Sequence, residues 1–114
     1  MPNARSLANS ASSATSWSAN APGTPGEFPE VDAGVAERAN LARDYARQLK
    51  QKQRGDEGRK YLQAIVERQA DGVDRLAEAH ALRVRADYAK DFEGCAEADG
   101  LYRRAFRLFE AQRD

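Results

Sequence analysis

Residues 97–109 read EADGLYRRAFRLF and carry the bulkiest apolar face of the chain. Within nine positions this stretch places six residues with apolar surface, Leu101, Tyr102, Ala105, Phe106, Leu108 and Phe109. Such a face is wider than a single narrow helix contact requires. We therefore expect a C-terminal helix that packs on the helix before it and holds the core.

The region from residue 34 onward has the composition of helices throughout. It contains no proline, and its most frequent residues lose little conformational freedom on entering a helix. Breaks are expected near Gly55, Gly72 and Gly94, which divide the region into four helices. Because the connections are short, consecutive helices should lie antiparallel. The sequence predicts an all-α fold of two antiparallel helical hairpins over residues 34–114.

Apolar stripes mark the side of each helix that we expect to be buried. The first helix should start after Asp32 or Gly34, and its stripe of mostly small residues consists of Val35, Ala39, Ala42, Ala46 and Leu49. In the second helix, four-residue pairs join Tyr61 with Ile65 and Leu62 with Val66. The third helix should be capped near Asp71 or Asp74, with the stripe Val73, Ala77, Ala81, Val84 and Tyr88.

Residues 1–33 differ from the rest of the chain. They hold six serines and four prolines, and their sizeable apolar side chains are limited to Leu7, Trp17, Phe28 and Val31. Such a segment buries too little surface to offset an ordering cost of roughly 1–2 kcal/mol per residue. We expect a disordered arm.

The arm also has the composition of some targeting segments. Its first 26 residues contain no acid, one Arg and many Ser, Thr and Ala, as in some organellar transit peptides and non-cleaved bacterial export signals. A flexible tail explains the same composition. We expect a cytoplasmic protein without a membrane span, and the alternative is a protein imported into an organelle or exported outside the Sec route, for example a type III secretion substrate.

Two stretches of the helical region echo each other. Asp44-Tyr45-Ala46-Arg47 recurs as Asp87-Tyr88-Ala89-Lys90, and Tyr61-x-x-Ala64 recurs as Tyr102-x-x-Ala105. The repetition indicates a duplicated helical hairpin, and repeated hairpins are typical of proteins that present a binding surface.

The run from Glu97 to Leu108 resembles the second helix of a tetratricopeptide repeat, especially the variety found in kinesin light chains. Ala98, Tyr102 and Ala105 take the places of that family's small residue, aromatic and alanine. Elsewhere, Leu41-Ala42-x-x-Tyr45 resembles the first helix, and Tyr61 with Ala64 the second, but Glu57 stands where a small residue is expected. The resemblance implies stacked hairpins that bind another protein.

Two hairpins are fewer than such arrays usually need, because each hairpin buries its face against the next. An apolar end face would remain open. It would be used for self-association, for docking onto a larger partner, or it would be covered by the arm through Trp17 or Phe28. The alternative architecture is a closed four-helix bundle, which needs no partner.

The sequence favours a protein without enzymatic activity, cofactor or metal. Its only Cys and only His, Cys95 and His80, lie on either side of the expected break at Gly94, and packing explains both. One His and one Cys fall short of the usual set of metal ligands, and no glycine-rich phosphate loop has the required spacing.

The expected function is protein–protein interaction, as an adaptor or assembly subunit. The formal net charge is zero, which argues against indiscriminate nucleic-acid binding. Candidate contacts are a basic face of the first helix and three tyrosines, namely Arg43, Arg47, Lys50, Arg54, Tyr45, Tyr61 and Tyr88. The basic face would bind an acidic partner or, as the least favoured class, nucleic acid; an ordinary solvated helix face is the preferred explanation. Arg103, Arg104 and Arg107 form a second, shorter basic patch.

Overall fold

The computed structural model describes residues 26–113, and every structural statement below concerns that range. It contains four helices: α1 at Val35–Gln51, α2 at Gly55–Asp71, α3 at Arg75–Phe92 and α4 at Cys95–Arg113. The described range contains no strand. The predicted all-α fold with helical hairpins is confirmed. None of these helices is long and apolar enough to cross a membrane.

The start of α3 shows how local sequence sets a helix boundary. The Asp74 carboxylate accepts hydrogen bonds from the amides of Leu76 and Ala77, both at 3.1 Å. These are amides that a helix leaves without an internal partner at its first turn. The predicted cap near Asp71 or Asp74 is confirmed at Asp74. Val73 precedes the cap and is 98% exposed, so its assignment to the buried stripe was wrong.

The turn between α1 and α2 uses an unexpected residue. Gly55 was expected to mark the end of the first helix, but it is the first residue of α2, and Gln53 takes the left-handed conformation with φ 66°. The Gln53 amide donates to the Lys50 carbonyl at 3.1 Å, and the Arg54 amide donates to the Leu49 carbonyl at 2.8 Å. This pair of bonds is the Schellman arrangement, in which glycine usually holds the left-handed position.

Helix α3 is the centre of the fold because it packs against all three other helices, while α1 and α2 also pack on each other. Among the described helices, α4 packs extensively against α3 alone. The stripes of α1, α2 and α3 are largely buried as predicted: Ala39, Ala42, Ala46, Leu49, Leu62, Ile65, Val66, Ala77, Ala81, Val84 and Tyr88.

Small residues bring α1 and α2 close together. Ala46 is fully buried, and a Cβ atom on Gly58 would lie 2.8 Å from the Ala46 carbonyl oxygen. A small residue had been expected at the position of Glu57, whereas the close approach occurs one residue later, at Gly58. Glu57 is exposed to solvent and pairs with Arg54.

The broad apolar face of α4 is only partly buried. Ala98 and Ala105 are buried against α3, and Leu101, Tyr102, Leu108 and Phe109 are half-buried. Phe106 is 60% exposed, so the expectation that it belongs to the core face was wrong. The reason is that α4 has one extensive neighbour, which covers one side of the helix.

The last part of the predicted arm packs against the first hairpin. Phe28 is only 5% exposed and joins the core, and the Arg38 guanidinium lies 5.8 Å from the centre of its ring. Arg68 of α2 pairs with Glu27 at 2.6 Å. Residues 26–33 are irregular but not all solvated, so packing begins before the predicted boundary at residue 33. Trp17 and the possible targeting segment lie outside the described residues.

Phe28 adds the end of the predicted arm to the core. It belongs to the buried cluster that contains residues of α1, α2 and α3, and the Arg38 guanidinium of α1 lies against its ring. The described part of the arm therefore contributes to the core through Phe28, whereas coverage of an open end face by the arm stays a prediction.

Candidate functional site

A ladder of polar contacts joins α1 to α3. Residues on both helices recur at steps of three or four, so that successive turns meet. The three rungs are Asn40 to Arg83 at 3.0 Å, Arg43 to Asp87 at 2.6 Å and Arg47 to Asp91 at 2.7 Å. All three rungs are part-exposed, so each should contribute no more than about 1 kcal/mol. The ladder sets the register between the two hairpins.

A tyrosine from α4 extends the ladder at its middle rung. The Tyr102 hydroxyl donates a hydrogen bond to the Asp87 carboxylate, which also accepts from Arg43. Burial, followed by this hydrogen bond, raises the pKa of Tyr102 to about 12. Arg83 lies 3.8 Å from the same carboxylate, and burial lowers its pKa. Asp87 therefore connects α1, α3 and α4.

The predicted basic face of α1 is occupied by contacts within the chain. Arg43 and Arg47 form ladder rungs. Arg54 lies in the turn after α1, so its placement on the first helix was wrong, and it pairs with Glu57 at 2.6 Å. The Lys50 ammonium lies 5.5 Å from the centre of the Phe92 ring. An acidic protein or a nucleic acid would have to compete with all four contacts. This arrangement favours a structural role for the basic face.

The three candidate tyrosines have different surroundings. Tyr45 and Tyr61 meet edge to face with ring centres 4.8 Å apart, which ties α1 to α2. The Tyr61 hydroxyl is buried and bonds to none of the described residues, and burial raises its pKa. Tyr88 is fully buried and donates to the Gly55 carbonyl at 2.7 Å. Tyr88 therefore belongs to the core and offers no surface to a partner.

His80 and Cys95 are not brought together. His80 packs edge to face against Phe109 at 4.9 Å and lies 3.3 Å from the Arg83 guanidinium. Burial lowers the pKa of His80. Cys95 is exposed at the start of α4, beside the far end of α3. His80 and Phe92 are twelve residues apart on α3, which alone separates them by about 18 Å along the helix. Within residues 26–113, no group of three or more His, Cys, Asp or Glu is placed to hold a metal ion.

A polar cleft of about 940 Å³ opens between the two hairpin turns. Arg85 lies in its wall, only 4% exposed, and pairs with Glu93 at 3.0 Å. The charged lining consists of the bases Lys50, Arg54, Arg59 and Arg85 and the acids Asp56, Glu57, Glu93 and Glu97. Because the two sets are equal in number, the walls carry no net charge that would select an anion or a cation.

The outer side of α4 carries the most exposed aromatic side chain of the described helices, Phe106. A stripe of exposed residues runs through it at steps of four and three: Asp99, Arg103, Phe106, Glu110 and Arg113. We call these five residues the α4 stripe. Its one intrahelical contact pairs Arg103 with Asp99 at 2.9 Å, between two exposed side chains.

Sequence reasoning missed the α4 stripe because it grouped Phe106 with its apolar neighbours. The signal was nonetheless present. Phe106 is separated by three and four residues from Arg103 and Glu110, so it shares their side of the helix. Arg104 is exposed but lies off this stripe, since residues two apart in a helix point in different directions.

A scan against protein-family models found no match, and searches of the curated proteins and of the solved structures also found none.

Proposed function

We propose that this chain is a non-enzymatic protein–protein interaction module, an adaptor or assembly subunit, and that its partner binds to the outer side of α4. The observation that carries the proposal is Phe106, 60% exposed on a helix that packs extensively against one neighbour alone. Burying the exposed part of a Phe side chain would contribute about 1–2 kcal/mol.

The difference between the two ends of the fold supports this location. At the first hairpin, Phe28 of the preceding segment is buried within the core and Glu27 pairs with Arg68 of α2. At α4, Phe106 has no comparable cover among the described residues. The resemblance to tetratricopeptide hairpins, whose faces stack on neighbours, supports the same function.

The surroundings of Phe106 suit a binding surface. An aromatic anchor ringed by charged residues is the usual composition of a protein interface, in which the apolar centre supplies affinity and the charged rim sets orientation. Arg103 and Glu110 supply both signs of charge one turn to either side. The three tyrosines and the basic residues first considered as candidate contacts take part in contacts within the chain.

Site-specific photo-crosslinking tests the proposal. A photoreactive phenylalanine analogue at position 106 of the full chain, in the cells the protein comes from, should give covalent adducts. The same analogue at position 52 is the control, because Lys52 is exposed in the turn between α1 and α2, outside α4. Adducts at both positions in equal yield, or at neither, would overturn the proposed function.

A further inference from the structure

Building on that proposed function, we propose that the partner of α4 is a second copy of this chain, bound antiparallel through the α4 stripe about a two-fold axis beside Phe106. The two Phe106 rings would meet at the axis. Every other contact would occur twice, because a two-fold interface uses the same surface on both copies.

The order of charges along the α4 stripe carries the inference. From the N-terminal end it runs negative, positive, aromatic, negative, positive, from Asp99 through Phe106 to Arg113. When the second copy is aligned antiparallel with the two Phe106 residues opposite each other, every negative side chain of the stripe faces a positive one. Parallel pairing in register would instead set each charge opposite itself. The stripe therefore favours the antiparallel arrangement.

The heights of the paired residues agree with this arrangement. Arg103 lies three residues before Phe106 and Glu110 four residues after it, a mismatch of about 1.5 Å along the axis. Asp99 and Arg113 both lie seven residues from Phe106. Arg103 therefore meets the Glu110 of the second copy, and Asp99 meets its Arg113. Four ion pairs form between the copies around one aromatic contact, and they replace the Arg103–Asp99 contact within each copy.

The interface is available in the single chain. All five stripe residues are exposed, and the contact between Arg103 and Asp99 joins two solvated side chains, so exchanging it for a contact with a second copy costs little. One pair of helices buries less surface than a standard stable interface. We expect a weak dimer, with a dissociation constant in the micromolar range or above.

Charge reversal in the full chain tests both the partner and the register. In the proposed dimer, residue 103 of each copy faces residue 110 of the other. Arg103→Glu alone, or Glu110→Arg alone, therefore places two like charges opposite each other at both of these contacts. Each should raise the dissociation constant at least about tenfold, as measured by sedimentation equilibrium up to about 1 mM protein. The double variant R103E/E110R should dimerise like the unaltered chain. Mixing the two single variants should give a heterodimer, because their charges complement each other.

Arg104→Glu is the matched control, since it makes the same charge change on an exposed residue of α4 outside the stripe. Its dimerisation should match that of the unaltered chain, and circular dichroism should show that all variants remain helical. A monomer at about 1 mM for the unaltered chain would overturn the inference. Equal loss in R104E and R103E, or no heterodimer on mixing, would do the same.

The inference and the proposed function fail separately. Crosslinked adducts at position 106 that contain a different protein, together with a chain that stays monomeric, would remove the second copy and keep the interaction module. Adducts of twice the chain's mass, lost in R103E and regained in the double variant, support both.

Discussion

Tyr102 on α4 donates its hydroxyl hydrogen bond to the carboxylate of Asp87 on α3. The same carboxylate accepts from Arg43 on α1 at 2.6 Å. The equivalent pair in the first hairpin, Tyr61 and Asp44, does not repeat this contact. Asp44 is exposed, and the Tyr61 hydroxyl bonds to none of the described residues. The echoed residues therefore make different contacts, because α3 alone among the described helices packs against all three others.

Replacing Asp87 with Asn should lower the free energy of unfolding by about 1–3 kcal/mol, since charge-assisted bonds to two other helices are weakened. Urea denaturation measures the change. Asp91→Asn is the control, because Asp91 is more exposed and its carboxylate bonds to Arg47 alone among the described residues; it should cost less than about 1 kcal/mol. Equal losses in the two variants would show that Asp87 is not the junction of the three helices.

Stability should fall as the pH rises from about 10 to about 12, in part because of Tyr102. Its pKa is raised in the folded chain to about 12 from the ordinary value of 10.0. A group whose pKa is raised by folding stabilises the fold fully at any pH below its pKa in the unfolded chain. This contribution is lost as the pH rises through its pKa in the folded chain. The free energy of unfolding, measured across this window, should fall less steeply in Tyr102→Phe. An identical slope in both proteins would contradict the assignment.

Gly58→Ala should destabilise the fold by about 1–3 kcal/mol, because the added Cβ would lie 2.8 Å from the backbone oxygen of Ala46. Gly100→Ala is a matched control inside another helix. A Cβ at Gly100 meets nothing within 4 Å, so the better helix propensity of alanine should stabilise the fold by up to about 1 kcal/mol. Thermal unfolding should show a lower melting temperature for Gly58→Ala and a higher one for Gly100→Ala. Stabilisation by both substitutions would rule out the close approach of α1 and α2.

Gln53→Gly should stabilise the fold by about 0.5–1 kcal/mol. Gln53 holds a left-handed conformation, with φ 66°, that glycine adopts without the steric cost of a Cβ atom. Gln51→Gly places the same substitution in the last residue of α1 and should destabilise. Chemical denaturation measures the free energy of unfolding of both variants. A loss of stability in both would contradict the left-handed conformation of Gln53 in the Schellman turn.

Phe28→Ala should lower the free energy of unfolding by about 2–4 kcal/mol, because Phe28 is buried and packs within the core. Val31→Ala, in the same segment but at a half-buried position, should cost less. Hydrogen exchange adds a local readout, in which amides of residues 26–33 should exchange faster in Phe28→Ala. A change no larger than that of Val31→Ala would show that the segment is not anchored through this ring.

The helices themselves could be predicted because their causes are local. The absence of proline after residue 33, the break at Gly72 and the cap at Asp74 act within a few residues of the positions they govern. The small residues of α1 likewise predicted a close contact with another helix. The contacting residue on α2 is Gly58, one residue after the predicted position at Glu57, because the way one helix is rotated against another depends on packing and not on sequence spacing alone.

What only the tertiary structure decided is which side chains remain free. Arg43 and Asp87 are 44 residues apart, and no local pattern states that they meet. Phe106 and Phe109 both lie in the apolar run of α4, and the position of α3 leaves Phe109 half-buried and Phe106 60% exposed. Helix formation follows from propensity and period along the chain, whereas the choice between a buried and an open face follows from how many neighbours a helix acquires in three dimensions.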